Sequence, residues 1–175
     1  MFRCVLAVIL MFTSIAFLSL AWSANSQGTK ESQFDTSKQQ ICGLRLGLPE
    51  KDVERIVPCR QPAKGKEVFE GATGEYVQDW EYAECGIELK MGSERKGGLK
   101  VVESITITSP SKFVTNRGIH IGSTEGEVIK VYGQYRDQEE SQKGRQFVAG
   151  SIYDGMIFDL KDGKVIRILL GAAAE

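Results

Sequence analysis

The segment GIHIGSTEGEVIKVYG, residues 118–133, decides the predicted fold because the chain contains a second version of it. GLRLGLPEKDVERIVP, residues 43–58, aligns with it without a gap. In both versions apolar residues alternate between two glycines, a pattern typical of a half-buried strand. A helix start follows, marked by Pro49 in the earlier segment and by a capping box of Thr124 and Glu127 in the later one. Each segment therefore predicts a short strand followed by an amphipathic helix.

The similarity continues beyond both predicted helices. Residues 82–91 resemble residues 152–161, and residues 99–108 resemble residues 163–170. Each pair of stretches predicts two antiparallel strands, and the sequence DGK at residues 162–164 is typical of a tight hairpin. We therefore expect an α+β fold of two tandem helix-plus-antiparallel-sheet repeats, which form one continuous sheet with the helices on one face.

The N terminus has the composition of an export signal. Arg3 precedes a long uncharged apolar run, and AWS at residues 21–23 offers a small-x-small cleavage site. Residues 1–23 are therefore predicted to be a secretory signal peptide, which places the protein outside the cytoplasm, in the periplasm or secreted. The alternative is an uncleaved N-terminal anchor formed by residues 5–22, which are just long enough to span a bilayer. Mass measurement of the mature N terminus separates the two.

The rest of the chain divides by composition. Residues 24–39 are polar and are predicted to be a disordered spacer. A first repeat is expected at residues 40–112 and a second at residues 113–171, with a frayed tail at residues 172–175. The chain has 22 basic and 23 acidic residues and a net charge of −1, so there is no electrostatic case for nucleic acid. Membrane contact is expected only through an uncleaved N-terminal segment.

Few residues of this sequence offer catalytic or metal-binding chemistry. His120 is the only histidine and alternates with apolar neighbours, so it is expected on the exposed side of a strand. A Cys42 nucleophile with His120 as its base is the enzymatic alternative, but no activating motif surrounds Cys42. The cysteines lack C-x-x-C spacing, which argues against zinc. We therefore predict a protein that is not an enzyme, with no catalytic residue, metal site or cofactor.

The stretch YVQDWEY, residues 76–82, is the candidate binding element. Its alternation places Tyr76, Trp80 and Tyr82 on one side of a strand, and such aromatic residues dominate protein interfaces. Packing in the core is the structural alternative. If the alternation continues through the next residues, Trp80 and Cys85 lie on opposite faces. A concave aromatic sheet surface is then predicted.

The two paired segments also carry a family resemblance. LRLGLPEKDVERIV and IHIGSTEGEVIKVYG resemble the beta-lactamase-inhibitor-protein type of tandem repeat, which shares its unit with small outer-membrane assembly lipoproteins. The resemblance implies a disulfide between Cys59 and Cys85. A pair of Cys42 with Cys85 stays open, and three cysteines after the predicted signal leave at least one thiol without an intramolecular partner. The second repeat has no cysteine pair, and the chain has no suitably placed lipid-attachment cysteine.

These observations lead to two hypotheses about function. The first is an exported, non-enzymatic protein-binding module, an inhibitor or modulator of an envelope or secreted protein. Its partner would be an unknown protein in the envelope or outside the cell. The alternative is a membrane-tethered structural or assembly component of the cell envelope, held by an uncleaved N-terminal segment.

Overall fold

The computed structural model describes residues 33–173. The predicted signal peptide or anchor, residues 1–23, and the first part of the predicted spacer lie outside the described residues. The helices are α1 (Glu50–Ile56) and α2 (Glu125–Tyr132), with single turns of 3-10 helix at Thr36–Lys38, Ala83–Cys85 and Gly133–Tyr135. The strands are β1 (Ala63–Lys64), β2 (Val68–Glu70), β3 (Glu75–Tyr82), β4 (Ile87–Ser93), β5 (Val101–Thr108), β6 (Gln146–Gly150), β7 (Gly155–Lys161) and β8 (Lys164–Gly171).

All eight strands belong to one antiparallel sheet in the order β1-β3-β4-β5-β8-β7-β6, with β2 paired to β3 beside β1. The pairing of β5 with β8, in which Ile105 lies opposite Leu170, joins the earlier strands to the later ones. The predicted hairpin between β7 and β8 is confirmed. Its two turn residues, Asp162 and Gly163, both have positive φ, as the two-residue turns that match strand twist require.

The core lies on one face of the sheet, which we call the inner face. Two rows of directly opposed, buried side chains cross six strands from β3 to β6. One row is Trp80, Leu89, Ile105, Leu170, Met156 and Ala149, and the other is Tyr82, Ile87, Ile107, Ile168, Phe158 and Phe147. Because side chains alternate along each strand, these rows fix the register of the whole sheet.

Both helices cover the inner face. Val53 of α1 and Val128 of α2 are buried in the same cluster as the two rows. The Tyr132 ring of α2 lies 5.0 Å from the Phe158 ring of β7. The predicted capping box at the start of α2 is confirmed, with reciprocal bonds between Thr124 and Glu127. Among residues 33–173 no helix is long and apolar enough to cross a membrane.

Among residues 33–173, the opposite face of the sheet, the outer face, is covered at one end only. Val148, Ile157 and Leu169 form a second buried cluster there, with Ile152 packed against it. Ile152 belongs to the turn between β6 and β7. A hydrogen bond from the Ala173 N–H to the Ile152 carbonyl, at 2.7 Å, holds this turn in place. The β6–β8 part of the outer face is therefore closed by its own turn.

The predicted α+β fold of two helix-plus-sheet repeats is wrong. The protein is mostly one eight-stranded antiparallel sheet, and its only two helices in the described residues have seven and eight residues. Pro58 follows α1 so closely that a longer helix cannot form there. The strands are also divided unevenly, because residues 63–108 contribute five and residues 146–171 contribute three. The result is a sheet-dominated fold.

The end of the predicted spacer is part of this folded unit. Phe34 is buried, and its ring lies 5.4 Å from that of Tyr135. The Thr36 hydroxyl donates to Asp154 at 2.5 Å, and the Asn116 side chain donates to the Lys38 carbonyl at 3.0 Å. Residues 33–39 therefore pack on the structure with specific contacts.

Neither edge of the sheet presents a long unpaired strand. At the β6 edge, Arg136 bridges to Ala149 and Gln142 bridges to Gln146. At the other edge β1 has two residues and β2 has three, with residues 65–67 between them.

Candidate functional site

The aromatic surface predicted from YVQDWEY is not formed. Trp80 and Tyr82 are only 1% and 4% exposed and lie in the core, while Tyr76 is half-buried at the end of the sheet. The prediction assumed unbroken alternation, but the 3-10 turn Ala83–Cys85 interrupts it. Trp80 consequently lies opposite Leu89 and faces the helices. The assignment of Trp80 to an outward-facing surface is therefore corrected.

The disulfide between Cys59 and Cys85 is present, with a Cα–Cα distance of 6.4 Å. It ties the segment after α1 to the 3-10 turn between β3 and β4. Both cysteines pack against the core. The alternative pair of Cys42 with Cys85 is excluded, since Cys42 is a free, exposed thiol.

Cys42 and His120 make separate contacts. The Cys42 sulfur accepts a hydrogen bond from the Val114 N–H at 3.3 Å, and the backbone of Cys42 has a φ of 47°. His120 Nδ1 lies 2.9 Å from the Ile121 carbonyl oxygen, which requires the proton to be on Nδ1. The hydrogen bonds of the described residues do not join the thiol to the imidazole.

The open part of the outer face holds a cleft that sequence reasoning did not identify. It has a volume of about 410 Å³ and lies across β2, β3, β4 and β5. Its charged lining is Glu70, Glu75, Asp79, Glu88, Lys90 and Glu103, and its other lining residues are Leu46, Thr73, Val102, Ser104, Thr106 and Ala172. We call this cleft the acidic groove, because five carboxyl groups face a single lysine.

Glu103 enters the acidic groove through a β-bulge. The register of β4 against β5 shifts between Lys90 and Met91, so Glu103 is the extra residue on β5. Its carboxyl group lies directly over Gly92, where a Cβ would overlap Glu103 Oε1. Oε1 itself is buried and accepts no hydrogen bond. The Glu103 carboxyl group can therefore pack against the sheet only because residue 92 of β4 is a glycine.

Replacement of Gly92 by alanine is expected to expel the Glu103 side chain from its position. Overpacking of this kind costs about 1–3 kcal/mol of unfolding free energy, which urea titration measures. The matched control is the same change in a Glu103→Ala background, where the obstacle is gone and the cost should largely disappear. Equal costs in the two backgrounds would show that Glu103 does not occupy the space above Gly92.

Among the described residues, five carboxyl groups and one lysine side chain line the acidic groove. Lys90 Nζ lies 2.9 Å from Glu70 Oε1, and the Thr73 hydroxyl donates to Glu70 Oε2 at 3.1 Å. Burial raises the pKa of Glu103 to about 8, and a hydrogen bond with Glu75 acts in the same direction. The negative charges of Glu75 and Glu70 raise this pKa further, while Lys90 opposes them.

An apolar row borders these carboxyl groups on the outer face. Val68, Val77, Gly92 and Val101 lie directly opposite one another across β2, β3, β4 and β5. Val68 and Val101 are 48% and 39% exposed. The combination suits a ligand with a cationic head and an aliphatic stem, since lysine and arginine side chains pack their stems on apolar surface. Within residues 33–173 no group of three His, Cys, Asp or Glu side chains is placed to hold a metal ion.

Part of this site could be recognised from the sequence. Gly92 interrupts an otherwise regular strand pattern, and an isolated glycine in a strand marks a bulge or a close approach. Alternation also places Glu88 and Lys90 on the face opposite Leu89. No local signal brings Glu70, Glu75 and Glu103 together, because that depends on the register of three strand pairs.

The resemblance to the inhibitor-type repeat rests on the two sequence segments alone and stays a prediction. The comparisons with known proteins add no relative, because no family model, no curated protein and no solved structure matches this chain.

Proposed function

We propose that this protein is an exported, non-enzymatic protein-binding module whose acidic groove receives a lysine- or arginine-bearing segment of a protein partner in the envelope or outside the cell. The observation that carries the proposal is the end of the outer face that residues 33–173 leave uncovered, where five carboxyl groups and one lysine line a cleft of about 410 Å³. The predicted signal peptide at residues 1–23 supports export.

Charge complementarity favours a basic occupant. Lys90 already pairs with Glu70, so the remaining carboxyl groups leave the groove negative. A positively charged surface on a partner would be attracted to the groove, and an acidic partner would be repelled. The volume lies within the range of about 300–1,000 Å³ that binding pockets occupy, which is enough for one or two long side chains.

Side-chain recognition is the binding mode that fits the sheet. Val68 and Val101, which are exposed at the two ends of the apolar row, offer apolar contact near the carboxyl groups. The sheet edges offer no comparable surface, because one is bridged by the loop at residues 136–142 and the other is divided into two short strands. A partner therefore contacts the face of the sheet, with its cationic groups in the acidic groove.

Binding of N-acetylated tetralysine amide, followed by NMR chemical-shift titration, tests this proposal. We expect shifts confined to the groove strands, and each of Asp79→Asn and Glu88→Gln should weaken binding about two- to five-fold, as loss of one exposed charge contact does. Raised ionic strength should weaken it further.

Glu140→Gln is the matched control, because it removes one negative charge from an exposed loop outside the groove. It should leave the affinity for tetralysine unchanged. The same loss of affinity in all three variants would reduce the effect to overall charge, and the absence of shifts in the groove strands would contradict the proposed function.

A further inference from the structure

The carboxyl groups of the acidic groove outnumber the charges that could balance them. Glu70 and Glu75 lie directly opposite each other on β2 and β3, an arrangement in which like charges destabilise a sheet. Lys90 stands beside Glu70 at 2.9 Å. Glu103 adds a third carboxyl group from the bulge in β5, and within the described part of the chain no second cation lines the groove.

Glu103 also lacks a hydrogen-bond donor for one of its carboxyl oxygens. Its Oε1 is buried without a donor, although the Glu75 carboxyl group lines the same cleft and raises the Glu103 pKa through a hydrogen bond. Two ionised carboxylates cannot bond to each other, because neither has a hydrogen to donate. One proton on the pair supplies that donor and removes one negative charge.

We propose that Glu103 and Glu75 share one proton in the free protein, and that a cationic side chain entering the acidic groove displaces this proton to solvent. Capture of a basic segment then strengthens as the pH rises toward 8. The inference rests on the proposed function for its second half only, since the shared proton belongs to the unbound protein.

The groups that face the pair set the direction of this effect. Glu70 on β2, Glu75 and Asp79 on β3, and Lys90 and Glu88 on β4 are the charged side chains that line the groove with Glu103. Glu94 and Arg95 line the adjoining pocket, which Glu75 and Gly92 also line. Burial, the hydrogen bond with Glu75 and the negative charges of Glu75 and Glu70 raise the Glu103 pKa from its ordinary 4.5 to about 8, while Lys90 opposes them. Between those values the folded protein keeps a proton that the unfolded chain has lost, so stability falls as pH rises through this window.

Carbon-13 NMR titration of the free protein tests the first half. We expect one glutamate carboxyl signal to titrate near pH 8, and to be missing in Glu103→Gln. The unfolding free energy of the native sequence should fall relative to that of Glu103→Gln from pH 5 to pH 8. Glutamate signals that all titrate below pH 6 would overturn the shared proton.

Calorimetric titration with N-acetylated tetralysine amide tests the second half, because this probe has no α-amino group that titrates near pH 8. At pH 7, in two buffers of different ionisation enthalpy, binding should release about one proton from the native protein and none from Glu103→Gln. Affinity for the native protein should rise about fifty-fold from pH 6 to pH 8, because release of one proton from a group with a pKa of about 8 changes the affinity nearly tenfold per pH unit below that pKa.

The outcomes separate the two proposals. Binding without proton release overturns the displacement and leaves the proposed function standing. Absence of binding overturns the proposed function, and the carboxyl titration of the free protein then decides the shared proton alone. Glu75→Gln gives an independent check, because its amide can donate to Glu103 and should bring the Glu103 titration to lower pH.

Discussion

Trp80→Ala is expected to lower the free energy of unfolding by about 3–5 kcal/mol, the range for large aromatic residues removed from a core. Trp80 fills the β3 end of the row that continues through Leu89 and Ile105. Its indole N–H donates to Gln78 at 3.0 Å, and Lys64 Nζ lies 3.6 Å from its ring. The change leaves a cavity in the core on the inner face and also removes these two contacts.

Urea titration followed by circular dichroism measures this loss. The matched variant is Trp80→Phe, which keeps an aromatic ring in the row and should cost less. Unchanged stability of Trp80→Ala, together with loss of partner binding, would return Trp80 to the exposed surface that its sequence pattern suggested.

Removal of the disulfide is the second large effect. Cys59 and Cys85 are 26 residues apart, and the Cys59→Ser/Cys85→Ser protein is expected to lose about 3.5 kcal/mol, because its unfolded chain regains the freedom of an open loop. The link also holds the 3-10 turn that directs Tyr82 into the core. The loss should therefore exceed that of any single surface substitution.

The free thiol provides the control for this experiment. Cys42→Ser removes a sulfur that is exposed and outside the disulfide, so its unfolding midpoint should stay close to that of the native protein. A fall in stability after Cys42→Ser that matched the double variant would indicate that Cys42 takes part in the covalent link.

Local features of this fold could be predicted from local patterns. The start of α2 follows from Thr124 and Glu127, whose side chains satisfy backbone groups within one turn. The β7–β8 hairpin follows from Asp162 and Gly163, which tolerate positive φ. In both cases the residues that carry the signal are also the residues that make the contact.

The face of Trp80 could not be predicted in this way. A period of two is reliable only while the strand is unbroken, and the turn at Ala83–Cys85 breaks it. The predicted fold class was wrong for a related reason. Repetition of a short segment indicates similar local structure, but the short strands β1 and β2 depend on pairing with β3 and carry no repeated signal.

The acidic groove shows the same limit at the level of the site. Glu70 and Glu103 are 33 positions apart in the sequence, and their proximity requires three strand pairs in register and one bulge. Charge alternation along one strand indicates only which face is solvated. The residues that share charge across the sheet follow from its assembly.

The protection of both sheet edges affects how the protein associates at high concentration. An exposed flat edge is a template on which other chains polymerise. Here the loop bridges at Ala149 and Gln146 cap one side, and the break at residues 65–67 shortens the other. The eight-stranded sheet can thus remain monomeric at high protein concentration while the acidic groove on its outer face stays open to a partner.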